Sequence, residues 1–192
     1  MVFVEDSLDM NEVFSGRVFH VEVHTVRLHD GSSARREIVR HGGGACVVAL
    51  DEQNSVSMVR QYRKAFEREL LELPAGKLEP GEDPMDCVGR ELSEETGYSA
   101  DHIELINTLY PSPGYCSEIL FVYLATGLKQ GAVHLDEGEH LSCESHPLDT
   151  LIDMIGRGEI CDAKSIVGLL MTQKLLRDRA TGSTANQEVS GT

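Results

Sequence analysis

"AGKLEPGEDPMDCVGRELSEETGY", residues 75–98, decides how this chain is read. Seven carboxylates fall within these twenty-four residues: Glu79, Glu82, Asp83, Asp86, Glu91, Glu94 and Glu95. The stretch has the limits of a helix. Asp83 suits the N-cap, Pro84 the first helical position and Gly97 the C′ position. Between those limits Met85, Val88 and Leu92 form an apolar stripe that would seat the helix on a core. At 100° per residue, Glu91 and Glu95 project about 40° apart, with Glu94 on the same side. Such neighbours repel by roughly 0.2–0.5 kcal/mol per pair, in a chain already at a formal net charge of −15. Arg90 stands four residues before Glu94 and can orient it. Clustered carboxylate oxygens are what hard divalent cations such as Mg²⁺ require. Phosphoanhydride chemistry in turn uses Mg²⁺ to neutralise charge and activate water.

Outward from this helix, strands dominate the N-terminal side. "RELLELPAG" (68–76) is a short strand that ends at Pro74. "SVSMVRQYR" (55–63) reads as the antiparallel partner of "ACVVAL" (45–50), across the turn "DEQN". The second of these is apolar throughout, as a doubly buried strand is. "HGGG" (41–44) is a flexible joint behind it. Before the joint, "GRVFHVEVHTVRL" (16–28) and "RREIVR" (35–40) flank the turn "HDGSSA" as a hairpin. Beyond the helix, "IELINTLY" and "EILFVYLATGL" are strands on either side of "PSPGYCS" (111–117). "PLDTLIDMIGRGE" and "DAKSIVGLLMTQKLLRDR" are helices, the second capped by Asp162. The small polar residues 181–192 suit a disordered tail. Strands interleaved with helices predict a layered α/β or α+β domain with an N-terminal β appendage. The expected division is a hairpin arm over 1–43, a catalytic domain over 44–180 and the tail over 181–192.

The 192 residues suffice for one domain with a sizeable core. No apolar run approaches the roughly 18 residues of a membrane span, and Glu5, Asp6 and Asp9 stand where a signal peptide would be basic. A cytoplasmic location is therefore expected. The five cysteines are scattered without a C-x-x-C, against both a disulfide framework and a zinc cluster. Nor do the eight histidines show ligand spacing. The net charge of −15 argues against nucleic acid as a partner. "AGKL" is not a P-loop, because Leu71 replaces the first glycine and Leu78 the Ser or Thr.

The spacing of the helix and its approach is more specific than its charge. Gly76, Glu82, Arg90, Glu91, Glu94, Glu95 and Gly97 fit G-x5-E-x7-R-E-U-x-E-E-x-G-U, with Leu92 and Tyr98 at the hydrophobic U positions. Seven fixed residues at roughly 8% usage each match by chance on the order of 10⁻⁸ per window. The stretch thus resembles the signature of the Nudix hydrolases. Only the aromatic Tyr98 departs from it, where an aliphatic residue is usual. The resemblance implies a Nudix α/β/α sandwich with a mixed sheet. It implies Glu91 and Glu95 as the principal Mg²⁺ ligands, two or three ions per site, with Mn²⁺ as a substitute. Glu94 would be a further ligand or catalytic helper, Arg90 its orienting partner, and Glu82 and the Ala75 carbonyl would complete the site.

"VRQYR", "LLELPAGKLEPGE", "SPGYCSE" with its Pro113, and "DEGEHL" before "PLDTLIDMIGRGEICDAKSIVGLL" resemble the ADP-ribose pyrophosphatase branch of that family. That branch implies Arg63 and Glu72 on the substrate, Pro113 and Gly114 beside the ribose, and Glu118 at the site. Glu139, or else Glu137, would be the general base or a further metal ligand. It also implies a homodimer with exchanged N-terminal strands, to which Phe14, Val18 and Phe19 are suited, and Arg35 or Arg36 reaching the adenine side. The expected reaction is ADP-ribose to AMP and ribose 5-phosphate. The alternatives are another nucleoside diphosphate sugar, such as a GDP-sugar, and a non-catalytic nucleotide sensor, which usually lacks one of the box glutamates.

Overall fold

The computed structural model describes residues 3–132 and 140–182. Glu137 and Glu139, the candidates for the general base, lie outside the described residues, as does the tail from 183. Among the described residues the chain order is β1 (Asp6–Ser15), β2 (Phe19–Arg27), β3 (Ser33–His41), β4 (Gly44–Leu50), β5 (Ser55–Arg63), β6 (Arg68–Glu72), β7 (Ala75–Lys77), α1 (Pro84–Thr96), β8 (Tyr98–Leu109), β9 (Leu120–Gln130), β10 (Leu141–Pro147), α2 (Leu148–Gly156) and α3 (Ala163–Ala180). β1, β2 and β3 form one antiparallel sheet. The other seven strands form a second, in the order β10-β5-β4-β9-β8, with β6 on β5 and β7 on β4. β4 and β9 are parallel and the remaining pairs antiparallel, so this sheet is mixed.

The apolar run of β4 is buried along its whole length because layers cover both faces. Cys46, Val48 and Leu50 pack with Met58, Leu73, Val122 and Leu124 under Leu151 of α2 and Leu169 of α3. Ala45, Val47 and Ala49 face Cys87, Val88 and Leu92 of α1 on the other side. This is the expected α/β/α sandwich. The short side chains at 45 and 49 admit α1 close to the sheet. No described helix is long and apolar enough to cross a membrane.

Two expectations are corrected and one strand is added. The N-terminal hairpin is a three-stranded sheet, because β1 precedes it. Two register shifts in β1, between Ser7 and Asp9 and between Glu12 and Phe14, break the alternation that would have marked it as a strand. β10 was hidden in "LSCESHP", whose polarity suits the strand it forms beside β5. Finally, Met85 in the first turn of α1 is 39% exposed, and the buried stripe begins at Cys87.

The first turn of α3 is tied to the sheet by one hydroxyl. Ser165 Oγ accepts the Leu73 N–H at 2.7 Å and donates to the capping carboxylate of Asp162 at 2.6 Å. Ser165 and Leu73 are both fully buried. Ser165→Ala strands the Leu73 N–H away from water and is expected to cost about 1–3 kcal/mol of unfolding free energy, measured by urea denaturation.

Candidate active site

A cleft of about 990 Å³ opens beside the sheet, with Glu91, Glu95, Arg63, Glu72 and Lys164 among its walls. α1 supplies the acidic wall. Its limits are those expected: Asp83 accepts the Met85 N–H at 2.8 Å, and Gly97 closes the helix at φ 73°. The inward stripe of the helix carries Glu91 and Glu95 into the interior, 8% and 4% exposed. Glu95 Oε2 accepts the Ala75 N–H at 3.0 Å, which joins the helix to β7. Glu91 lies directly over Gly76. A Cβ at Gly76 would stand 1.6 Å from Glu91 Oε1, so the glycine is required by the carboxylate above it.

Arg90 answers the repulsion among these acids. Its Nη1 donates to Glu91 at 2.6 Å and to Glu94 at 3.1 Å. Its Nε and Nη2 donate to Glu82 at 3.2 and 3.3 Å. Hydrogen bonding to Glu82, followed by that to Glu91, raises the Arg90 pKa despite its partial burial. Arg90 and the Glu79 N–H in turn lower the Glu82 pKa. Among the described residues, no three acidic, His or Cys side chains converge on a metal position; instead the guanidinium sits between Glu82, Glu91 and Glu94. The donor set is nevertheless all oxygen, at one lip of the cleft, and is of the chemistry that a hard cation takes.

The opposite wall is an alternating chain of charges. Arg63 Nε and Nη2 grip the two oxygens of Glu72, each at 2.8 Å. Lys164 Nζ donates to Glu72 Oε2 at 2.5 Å and to Asp162 Oδ2 at 3.0 Å. Burial by itself would raise the Glu72 pKa, but Arg63 and Lys164 overcome it and hold the carboxyl at about 2. Burial opposes charging Lys164, and Asp162 and Glu72 outweigh it, so its pKa is raised.

The third side of the cleft is built by loops. Glu118 and Pro111 line it, and Pro113 and Gly114 lie between them in the turn Ser112–Cys116. That turn is bound to the N-terminal sheet through Val39, whose N–H donates to the Tyr115 carbonyl at 2.7 Å and whose carbonyl accepts the Ser117 N–H at 2.9 Å. His41 Nδ1 accepts the Gly43 N–H at 3.0 Å, and Glu118 approaches the same nitrogen at 3.6 Å, too long for a hydrogen bond.

The structure thus brings Ala75, Glu91, Glu95, Arg90, Arg63, Glu72 and Glu118 to one cleft. Glu82 and Glu94 reach it through Arg90. Arg36 is not on the cleft wall within this chain. It lies on β3, paired with Glu5 at 2.5 Å, and Arg17 lines the cleft instead. Lys164 was missed by sequence reasoning, and Asp162 was read only as a helix cap. The sequence carries no local signal for the lysine, because its partner Glu72 is ninety-two residues away.

Comparison with known proteins matches residues 40–166 to the NUDIX domain. The chain is 40% identical over 182 residues to the methanol dehydrogenase activator of Bacillus methanolicus, covering 93% of this chain and 98% of that one. It is 37% identical over 171 residues to the ADP-ribose pyrophosphatase of Bacillus subtilis strain 168, covering 88% and 92%. A crystal structure of an ADP compounds hydrolase superposes with a TM-score of 0.80 at 23% identity, over 94% of this chain and 97% of that one.

The depressed Glu72 pKa gives a stability prediction with a definite sign. A carboxyl whose pKa falls on folding stabilises the native state above its unfolded value and ceases to as pH drops through the folded one. Between the ordinary value of 4.5 and about 2, this group is expected to withdraw about 3 kcal/mol. Acid titration of unfolding free energy checks it: Glu72→Gln, less stable at neutral pH, has the shallower slope in that window.

Proposed function

This chain belongs to the NUDIX family and is a Nudix pyrophosphohydrolase, and from that premise we propose that it hydrolyses ADP-ribose to AMP and ribose 5-phosphate with Mg²⁺. The observation that carries the proposal is the pairing, across one cleft, of buried Glu91 and Glu95 with the Arg63–Glu72 fork. The name of the Bacillus subtilis relative, ADP-ribose pyrophosphatase, supports the choice of substrate.

Glu91 and Glu95 would hold the cation, assisted by Glu94, Glu82 and the Ala75 carbonyl. When bound, it supplies countercharge to the diphosphate and acidifies water. The residues of the chain bind and orient. Arg63 donates to the phosphate oxygens from a guanidinium fixed by Glu72. Arg90 keeps Glu82, Glu91 and Glu94 in register, and Glu118 with the 111–114 turn borders the sugar. Water attacks one phosphorus, its oxygen forms the new P–O bond, and the bond to the bridging oxygen breaks. The proton passes to a carboxylate of the 136–139 stretch, Glu139 or Glu137, which takes the role of general base. AMP and ribose 5-phosphate account for all the atoms.

The arm of residues 1–43 is proposed as a dimerisation element of a cytoplasmic homodimer, with a nucleoside diphosphate sugar as the small-molecule partner. Phe14, Val18 and Phe19 are 51%, 47% and 38% exposed on a sheet too thin to bury them itself. A second copy supplies that cover and adds its own arm residues, such as Arg35 or Arg36, to the adenine side of the neighbouring cleft. The 44–180 segment remains the catalytic domain in this reading.

Release of AMP from ADP-ribose tests the assignment, run beside GDP-mannose as the competing substrate class. Wild type with Mg²⁺ is expected to turn over ADP-ribose, and chelation to stop it. Glu91→Gln and Glu95→Gln are expected to lose on the order of 100-fold or more. Gly76→Ala, which pushes the Glu91 carboxylate aside, should lose at least about tenfold while its melting temperature stays near that of wild type. Faster turnover of GDP-mannose would move the substrate to the GDP-sugar class. Light scattering tests the arm: the wild type is expected at twice the chain mass and Phe14→Asp at the monomer mass.

A further inference from the structure

We infer that Lys164, in the first turn of α3, is a positioning residue for the diphosphate subsite: it holds Glu72 in the place from which Glu72 aims the Arg63 guanidinium across the cleft. The inference rests on the reading that the cleft takes a diphosphate. Four charges alternate in a row, Asp162, Lys164, Glu72 and Arg63, linked by contacts of 3.0, 2.5 and 2.8 Å. All four line the cleft, but the last is the most open to it: the Arg63 side chain is 40% exposed, against 3% for Glu72, 10% for Lys164 and 19% for Asp162. A surface lysine extends its ammonium to water; this one turns inward onto two carboxylates.

The row is anchored at its other end. Asp162 Oδ2 accepts the Ser165 N–H at 3.0 Å and caps α3, so Lys164 bridges from a helix terminus rather than from a mobile side chain. The Leu73 N–H donated to Ser165 Oγ fixes the backbone immediately after Glu72. Glu72 is therefore held twice by α3, once through its carboxylate and once through the next peptide. The bidentate grip on Glu72 uses two of the five N–H donors of Arg63. It also sets the plane of the guanidinium, and with it the direction of the remaining donors. Two anions and two cations make the row neutral. Without Lys164 a net negative charge remains beside the subsite of an anion, and Glu72 loses its inner restraint.

A double-mutant cycle with inorganic pyrophosphate and Mg²⁺ as the probe separates this role from others. Calorimetric titration is run on wild type, Lys164→Met, Arg63→Met and the double variant, with thermal denaturation of the same samples. Lys164→Gln, which keeps one N–H donor toward Glu72, serves if Lys164→Met does not fold. Lys164→Met is expected to weaken pyrophosphate binding about tenfold. Arg63→Met should weaken it at least as much, and the double variant no more than Arg63→Met alone. Additive losses mean that Lys164 touches the ligand itself, and they overturn the positioning role. Unchanged affinity with a lowered melting temperature makes the lysine structural and overturns it too, as does a wild type that does not bind pyrophosphate. A wild type that shows the expected cycle yet leaves ADP-ribose intact keeps the role of Lys164 and loses the substrate assignment.

Discussion

The four residues Glu72, Leu73, Pro74 and Ala75 bind the layers of this molecule to one another. Glu72 takes Arg63 of β5 and Lys164 of α3. Leu73 gives its N–H to Ser165 and its side chain to the core. The Pro74 carbonyl accepts the Val47 N–H of β4 at 3.0 Å, and the Ala75 N–H goes to Glu95 of α1. Both helical layers and the central strand thus meet a single bend between β6 and β7. Proline is tolerated here because the bend asks for no N–H at that residue. The Glu72 wall is consequently tied to the helical wall through two intervening residues, Leu73 and Pro74, and the hydrogen bond from Ala75 to Glu95. Such a short, fully bonded connection holds a site more tightly than a long loop does.

The acidic helix is stable because its repulsion is local and its remedy is local. Arg90 stands within hydrogen-bond reach of Glu82, Glu91 and Glu94, which no lysine does with one point of charge. Glu95 accepts a backbone N–H, that of Ala75. Charge-assisted bonds of this kind are roughly twice as strong as neutral ones, enough to carry carboxylates that the buried face of α1 draws into the interior.

Sequence and structure agree where one residue type has one use. The caps of α1 and α3 are legible because Asp83 and Asp162 accept N–H groups that have no other partner, and β4 because only a doubly covered strand is apolar at every position. The box residues are legible from spacing, and the fold explains one of them, since Gly76 and Glu91 meet in space. What was not legible depends on pairing across distance. Lys164 and Glu72 are ninety-two residues apart, and nothing local distinguishes this lysine from one on a solvated helix face. β1 and β10 lack clean alternation, the first through its bulges and the second because its side chains are largely polar. Arg17 and Arg36 both lie in alternating stretches, and only the fold of the arm determines which of them lines the cleft of its own chain.

The two irregularities of β1 also bear on solubility. A ten-residue strand paired on one side only, with Leu8, Met10, Val13 and Phe14 all more than 40% exposed, is a template onto which further chains can add strand by strand. Regular addition needs an unbroken ladder of N–H and C=O groups. The shifts at Ser7/Asp9 and Glu12/Phe14 interrupt that ladder twice, and Asp9 and Glu12 place like charges where a stacked copy would repeat them. Strand-by-strand growth along this edge is therefore disfavoured, and the bulges act as gatekeepers on an exposed apolar strand.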